Sequence, residues 1–341
     1  MNRSVDTMNG EARPRHAMTR RRFVSVLAAA GAAPLLPRLL RAAEPKTFTW
    51  EGVALGAQAS LTLQHPDATS ANAAIAACVS EVARLEAIFS LHRDDSALSQ
   101  LNHLGRIDDA PVELRELLAE TFALSRLSQG AFDPTIQPLW RLYADHFASP
   151  DAPIAGPSEN AIADVLRLVD WRKVDIDGAS ICLAEPHMAV TLNGIAQGYI
   201  TDRVGSLLRE RGFKHVLVNL GEGLALGPKW DGSSWTVGIV NPHEPTSILT
   251  ELSLDQGAVA TSGGYGYQFD AAGRFTHILD PKTGKPARRW ASVTVRADNA
   301  TLADGLSTAL SVVPAESAGT ILEARARACV VPLESAPLHW L

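Results

Sequence analysis

From Phe48 to Leu63 apolar residues alternate with small or polar ones around Gly52 and Gly56, a two-residue period that predicts a β-hairpin. Residues 71–89 change period: Ile75, Val79, Val82, Leu85 and Ile88 fall at helical spacing, so this stretch is expected to be an amphipathic helix. A second helix is predicted over 111–129, with Glu113, Glu116 and Glu120 on its polar side and Gly130 as its stop. Pro150, Pro153, Gly156 and Pro157 mark a loop, and a helix over 159–168 follows. Short strands then dominate, at 174–176, 181–183 and 189–192 and, beyond a helix at 198–211, at 216–220, 235–240, 248–254, 259–262 and 278–279. A last strand at 292–296 leads into a helix at 302–312. Runs of strands with helices grouped between them imply an α+β fold with mixed, largely antiparallel sheets and packed helices.

Composition narrows the class. With 341 residues, 46% hydrophobic and 20% charged, the chain can bury a sizeable core, which excludes disorder, collagen and coiled coil. Of its 31 basic and 37 acidic side chains, eight Arg but only Asp6 and Glu11 fall within residues 1–43, so the remainder carries 23 basic against 35 acidic groups. A body this acidic offers no counter-ion-releasing surface, and no nucleic acid partner is expected. Cys78, Cys182 and Cys329 are far apart and without CxxC spacing, so they read as small apolar residues rather than as a disulfide framework or a zinc site. Residues 1–43 contain Thr19-Arg20-Arg21-Arg22-Phe23-Val24 followed by an uncharged Ala- and Leu-rich stretch to Pro37. This resembles a twin-arginine export signal, the alternative being a basic amphipathic N-terminal helix, and its apolar run is shorter than the roughly 20 residues a membrane span needs. The expectation is a body from residue 44 to 341, exported folded to the periplasm.

Five stretches carry candidate chemistry. Thr191-Leu192-Asn193-Gly194-Ile195-Ala196-Gln197-Gly198 reads as an apolar strand turning through two glycines into a helix, where exposed amides and carbonyls can hold phosphate or a metal. A tight packing turn explains it equally well. Asn219-Leu220-Gly221-Glu222-Gly223 and Thr261-Ser262-Gly263-Gly264-Tyr265 would let backbone approach a ligand, or simply form turns. In His277-Ile278-Leu279-Asp280-Pro281-Lys282-Thr283-Gly284 the turn explains Asp280, Pro281 and Gly284 but leaves His277 without a local role. Asp304 and Thr308, at i and i+4, put a carboxylate and a hydroxyl on one helix face, hard oxygens suited to Mg²⁺ or Mn²⁺, although capping and helix back-bonding account for such residues too.

Order and combination go further. Gly56-Ala57-Gln58, Phe89-Ser90, Leu101-Asn102, Gly130-Ala131-Phe132-Asp133-Pro134 with Pro138-Leu139-Trp140, and the five stretches above follow one another from about residue 50 to 315. The series resembles the ApbE family, Mg²⁺-dependent FAD:protein FMN transferases with a T-fold-related architecture. The resemblance implies a metal held by the Gly194 carbonyl, Asp304 and Thr308. It implies FAD contacts at Leu55, at Ser90, Leu91 and His92, at Ala131, Phe132 and Asp133, at Thr191 and Gln197, and at Ile278. It makes His277 and Asp304 the catalytic candidates, His277 for moving a proton near the pyrophosphate.

Two positions depart from the family pattern: Thr191 stands where an Asp heads the turn and Gln197 where a Lys or Glu is usual, each removing charge beside the nucleotide without touching the implied metal ligands. The implied reaction passes FMN from FAD to a threonine hydroxyl of an FMN-binding acceptor in a membrane redox complex and releases AMP. The turn and the export segment also resemble the NosX-type accessory proteins of nitrous-oxide respiration. An FAD pyrophosphatase and a non-catalytic flavin-binding maturation factor are the competing readings.

Overall fold

The computed structural model describes residues 44–322, 326–334 and 337–341, so the arginine-rich segment expected to direct export lies outside the described residues. Nothing in those described residues forms a helix long and apolar enough to cross a membrane. The chain opens with the expected hairpin, β1 (Lys46–Ala54) and β2 (Ala57–His65), paired antiparallel from Lys46↔His65 to Ala54↔Ala57. Its corner is two residues, Leu55 (φ +46°) and Gly56 (φ +78°), the double positive φ that matches the twist of a tight hairpin. Helix α1 (Ala68–Phe89) follows, started by the Asp67 carboxylate, which accepts from the amides of Thr69 and Ser70.

The elements then run α2 (Ala97–Leu104), β3 (Arg106–Ile107), α3 (Val112–Leu127), α4 (Gln137–Ala148), α5 (Glu159–Leu166), β4 (Val174–Asp177), β5 (Ser180–Leu183), α6 (Ala196–Glu210), β6 (Val216–Asn219), β7 (Gly223–Leu226), β8 (Trp235–Val240), β9 (Ile248–Leu254), β10 (Gln256–Gly263), β11 (Trp290–Ala297), α7 (Ala300–Leu310), α8 (Ala315–Leu322), β12 (Ala326–Pro332) and β13 (His339–Trp340). Eight strands form one antiparallel sheet in the order β1-β2-β6-β7-β10-β11-β12-β13, with β3-β5-β4 and β8-β9 as smaller sheets. The fold is α+β, as the sequence pattern predicts.

Alternation along the central strands supplies both faces with apolar side chains. Leu61, Leu63, Val216, Val218, Ala258, Ala260, Val293 and Val295 bury under α1, α6 and α7, which contribute Val82 and Leu85, Val204 and Leu208, and Leu306 and Leu310. The opposite residues Leu217, Ala225 and Val259 bury under Trp235, Val237 and Leu254 of the β8–β9 hairpin. A satellite core holds α4 and α5 against the segment around Leu279 through Leu139, Tyr143 and Ile162. Cys78 and Cys329 are buried and Cys182 is half-buried, all three as free thiols.

Two expected strands are absent. Residues 189–192 are extended, but their hydrogen bonds go to the Asn102 side chain, which pairs with both Val190 N–H (2.6 Å) and Val190 C=O (2.8 Å), and from Thr191 N–H to the Pro134 carbonyl (2.7 Å). A side-chain amide thus takes the place of a neighbouring strand. Residues 278–279 make only an isolated bridge, Leu279 to Pro286.

Candidate active site

The 193–198 turn is built by one glycine rather than two. Gly194 sits in the turn itself, and a Cβ on it would lie 3.0 Å from Thr308 Oγ1 and 3.2 Å from the Phe132 ring. Gly198 is already inside α6, and a Cβ there would lie 2.3 Å from the Ala300 carbonyl oxygen, so it is the contact that lets α6 and α7 meet. Thr191 supports the turn locally, since its Oγ1 accepts from Asn193 N–H at 3.3 Å.

The two helices bind each other reciprocally through their first turns. Asp304 of α7 accepts from Gly198 N–H of α6 through Oδ2 at 3.1 Å. Asp202 of α6 accepts from the amides of Ala300 and Thr301, both at 2.8 Å, and from Thr301 Oγ1 at 2.6 Å. Each carboxylate thus meets the positive end of the other helix. Burial raises the Asp202 carboxyl above its ordinary value, against the lowering effect of these three bonds.

Around Asp304 oxygens converge. Thr308 Oγ1 stands 3.4 Å from the Gly194 carbonyl and 3.1 Å from Ser262 Oγ, which in turn is 2.8 Å from Ser307 Oγ. Asp304 is fully buried, and its Oδ1 is enclosed with no hydrogen bond made to that atom. Asp304 precedes Thr308 by one turn of α7, and Thr308 lies against the Gly194 carbonyl, so carboxylate, carbonyl and hydroxyl form a set of hard oxygen donors whose chemistry suits Mg²⁺. Among the described residues no three His, Cys, Asp or Glu side chains gather as an alternative metal site.

While Asp304 is buried and is not among the lining residues, Gly194, Ser262 and Thr308 of this cluster line a cleft of about 930 Å³, counting its open mouth. Ala131, Phe132, Asp133, Thr191, Gly194, His277, Ile278 and Thr308, all expected from the sequence, line it. Trp140 and Tyr267, with ring centroids 5.7 Å apart, add an aromatic wall suited to a flat heteroaromatic ring. His277 is held by the backbone of Tyr267: Nδ1 lies 3.0 Å from the Tyr267 carbonyl, which can only accept, so Nδ1 is the donor, and in the neutral ring the lone pair falls on Nε2. Asp133 is occupied structurally, accepting from Thr135 N–H (2.8 Å) and Oγ1 (2.6 Å) and from Trp171 N–H (3.2 Å), while burial raises its carboxyl overall. Its contribution to the cleft is therefore backbone and shape.

Other expected contacts lie elsewhere. Leu55 has its amide on Glu86 Oε1 (2.5 Å), and Ser90 and its neighbours Leu91 and His92 sit at the C-terminal end of α1, pinned where the Ser90 carbonyl accepts from Ser96 and Ser99. None of these four lines the cleft. Gln197 is buried against Gly221 of the Asn219–Gly223 loop, also outside the cleft wall. Conversely, Asp202, Ser262 and Glu222 gain roles that spacing did not assign. Glu222 is fully buried and accepts from Thr261 N–H at 3.3 Å, tying that loop to the strand that carries Ser262.

The comparisons with known proteins agree with this architecture. The ApbE family model matches residues 55–331. The FAD:protein FMN transferase of Treponema pallidum is 33% identical over 267 residues, covering 70% of each chain, and that of Haemophilus influenzae is 31% identical over 252 residues, covering 70% of this chain and 72% of the relative. The apo crystal structure of the Pseudomonas stutzeri flavinyl transferase ApbE superposes with a TM-score of 0.76 at 30% identity, over 89% of this chain and 96% of that one. The Thermotoga maritima apbe protein gives 0.75 at 26% identity, over 86% and 96%. Sequence, fold and relatives coincide over the same residues, and the chain belongs to the ApbE family.

Proposed function

We propose that this chain is an FAD:protein FMN transferase that passes FMN from FAD to a threonine hydroxyl of an acceptor protein. The observation that carries the reading is that the Gly194 carbonyl and Thr308, one helical turn from buried Asp304, line a cleft with an aromatic wall and a histidine held through Nδ1. When bound there, Mg²⁺ would supply charge neutralisation at a pyrophosphate.

The residues divide the remaining work. Trp140 and Tyr267 offer the surface on which an isoalloxazine ring can rest, and the Phe132 ring closes the wall beside Gly194. His277, held through Nδ1, presents Nε2 as the base for the acceptor hydroxyl proton. The threonine oxygen forms a bond to the phosphorus bearing riboflavin, the bond from that phosphorus to the bridging oxygen breaks, and AMP leaves with that oxygen. An acceptor docked over the mouth excludes water, the competing nucleophile. The acceptor is read as an FMN-binding protein of a membrane redox complex, with nitrous-oxide respiration as its setting, and export in the folded state fits a protein that meets it in the periplasm.

The test is AMP release from FAD with and without an FMN-binding acceptor domain, in Mg²⁺ and in excess chelator. AMP formed only with acceptor and Mg²⁺ is expected. Rapid AMP release without acceptor would favour the pyrophosphatase, and none under any condition would favour the non-catalytic binder.

A further inference from the structure

A second, more open cleft shares Asp133 and Pro281 with the first, so the two adjoin along that edge. Its walls carry Arg126, Trp171, Arg172 and Lys282. The two carboxylates that line it are already engaged: Asp170 binds Arg172 (2.8 and 3.0 Å), and Asp133 accepts from Thr135 and from Trp171 N–H. Arg126 lies over the Trp171 ring, 5.6 Å from its centroid, and both Arg126 and Lys282 are exposed with no carboxylate within ion-pair reach among the described residues. A guanidinium resting on an indole keeps its N–H edge available for a carboxylate. In a chain of net charge −6, this is a local excess of positive charge at the rim of the candidate active site.

The backbone around it is set for contact. Helix α3 ends through Gln129 (φ +53°) and Gly130 (φ +80°), a left-handed pair whose non-glycine member stores strain on the cleft wall. Trp171 joins the two clefts physically, because its amide binds the same Asp133 whose backbone lines the first. Lys282 follows Pro281 in the loop that carries His277.

We propose that this second cleft receives an acidic segment of the acceptor protein, with carboxylates flanking the threonine engaged by Arg126 and Lys282 so that its hydroxyl reaches the first cleft. The proposal rests on the transferase reading. It assigns to the cleft acceptor affinity and not FAD affinity.

The experiment measures FMN incorporation into an FMN-binding acceptor domain by the full chain with FAD and Mg²⁺, comparing wild type with R126E, K282E and the double variant. Expected are a KM for acceptor raised roughly tenfold in the double variant, a weaker dependence of kcat/KM on salt, and an unchanged KM for FAD. An acceptor in which the carboxylates near its threonine are changed to Lys should restore transfer by the double variant and lose it with wild type. An unchanged acceptor KM, or an equal rise in KM for FAD, overturns the proposal, the second placing the cations on the nucleotide. Failure of wild type to transfer FMN at all overturns the transferase reading instead. Both substituted side chains are exposed, so thermal unfolding should match wild type, and R126Q with K282Q, which remove charge without reversing it, should show a smaller rise of the same sign.

Discussion

Replacing Gly198 by Ala tests whether the close approach of α6 and α7 builds the oxygen cluster. The added Cβ would meet the Ala300 carbonyl oxygen at 2.3 Å, its carbon at 2.6 Å and Thr301 Cα at 2.8 Å, all backbone atoms that cannot rotate away. Relief to ordinary contact at 3.4 Å separates the helices by about 1 Å. That displacement stretches the Gly198 N–H bond to Asp304, now 3.1 Å, beyond hydrogen-bond range. Overpacking of this kind costs about 1–3 kcal/mol, and losing a hydrogen bond to a charged group about 1.5–3 kcal/mol. Better helix propensity returns about 1 kcal/mol, leaving a net loss of about 3 kcal/mol. Gly205, in the same helix, is the control: there a Cβ meets Leu224 Cδ2 at 2.4 Å, the mobile end of a flexible side chain, so the propensity gain roughly offsets the clash. By differential scanning calorimetry Tm should fall by roughly 5 °C or more for Gly198→Ala and by much less for Gly205→Ala. FMN transfer should drop roughly 100-fold in the first alone, the scale expected for a 1 Å misplacement. A Gly198→Ala protein with wild-type Tm and activity would refute the helix contact as the source of the site.

The other predictions are simpler to state. His277→Ala should reduce transfer by roughly 100-fold or more with a much smaller change in FAD affinity by fluorescence titration, because its principal role is that of a base and it is one of many residues lining the cleft; a rise confined to KM would contradict that role. Asp202 has a folded pKa raised above its ordinary value of 3.8, so its stabilising contribution is complete below that value and is lost as pH rises through the folded pKa. The Tm advantage of wild type over Asp202→Asn, measured without metal, should therefore shrink from about pH 3.5 upward, and an advantage that grows would reverse the assignment. Burial pushes the Cys329 thiol up to about 11 and that of Cys78 to about 12, so an aromatic disulfide reagent at pH 8 should label the native protein only at half-buried Cys182. Rapid labelling of all three thiols would contradict the packing.

The sequence pattern shows β1 and β2 through a two-residue period, and β6, β10 and β11 as short apolar runs because both faces of those strands are buried, but it gives no sign of β7, β12 and β13. It leaves out α4, whose Pro138 occupies the first turn of the helix, where proline is tolerated. It also missed α2, whose eight residues give too few turns for a periodic signal. The apolar run at 189–192 was read as a strand because burial, not pairing, makes a run apolar, and the Asn102 side chain that satisfies it lies 88 residues before Val190. At the site, Asp304, Thr308 and Gly194 were legible through helical spacing and a resembling motif. Asp202 was not, since its partners Ala300 and Thr301 are nearly a hundred residues away and only the helix crossing brings them together. Ser262 and Glu222 lie in motifs the sequence exposed, but their orientations follow from the register of β10 against β7 and β11.

The central claim is transfer of FMN at the metal-fitting oxygens of Gly194, Asp304 and Thr308. Its most direct test is intact-mass spectrometry of an FMN-binding acceptor domain after incubation with the chain, FAD and Mg²⁺, beside an Asp304→Ala control of matched Tm. A gain of one FMN that is lost in the control and in an acceptor lacking its threonine is the predicted result. An acceptor of unchanged mass while AMP accumulates, or full transfer by Asp304→Ala, would contradict the account.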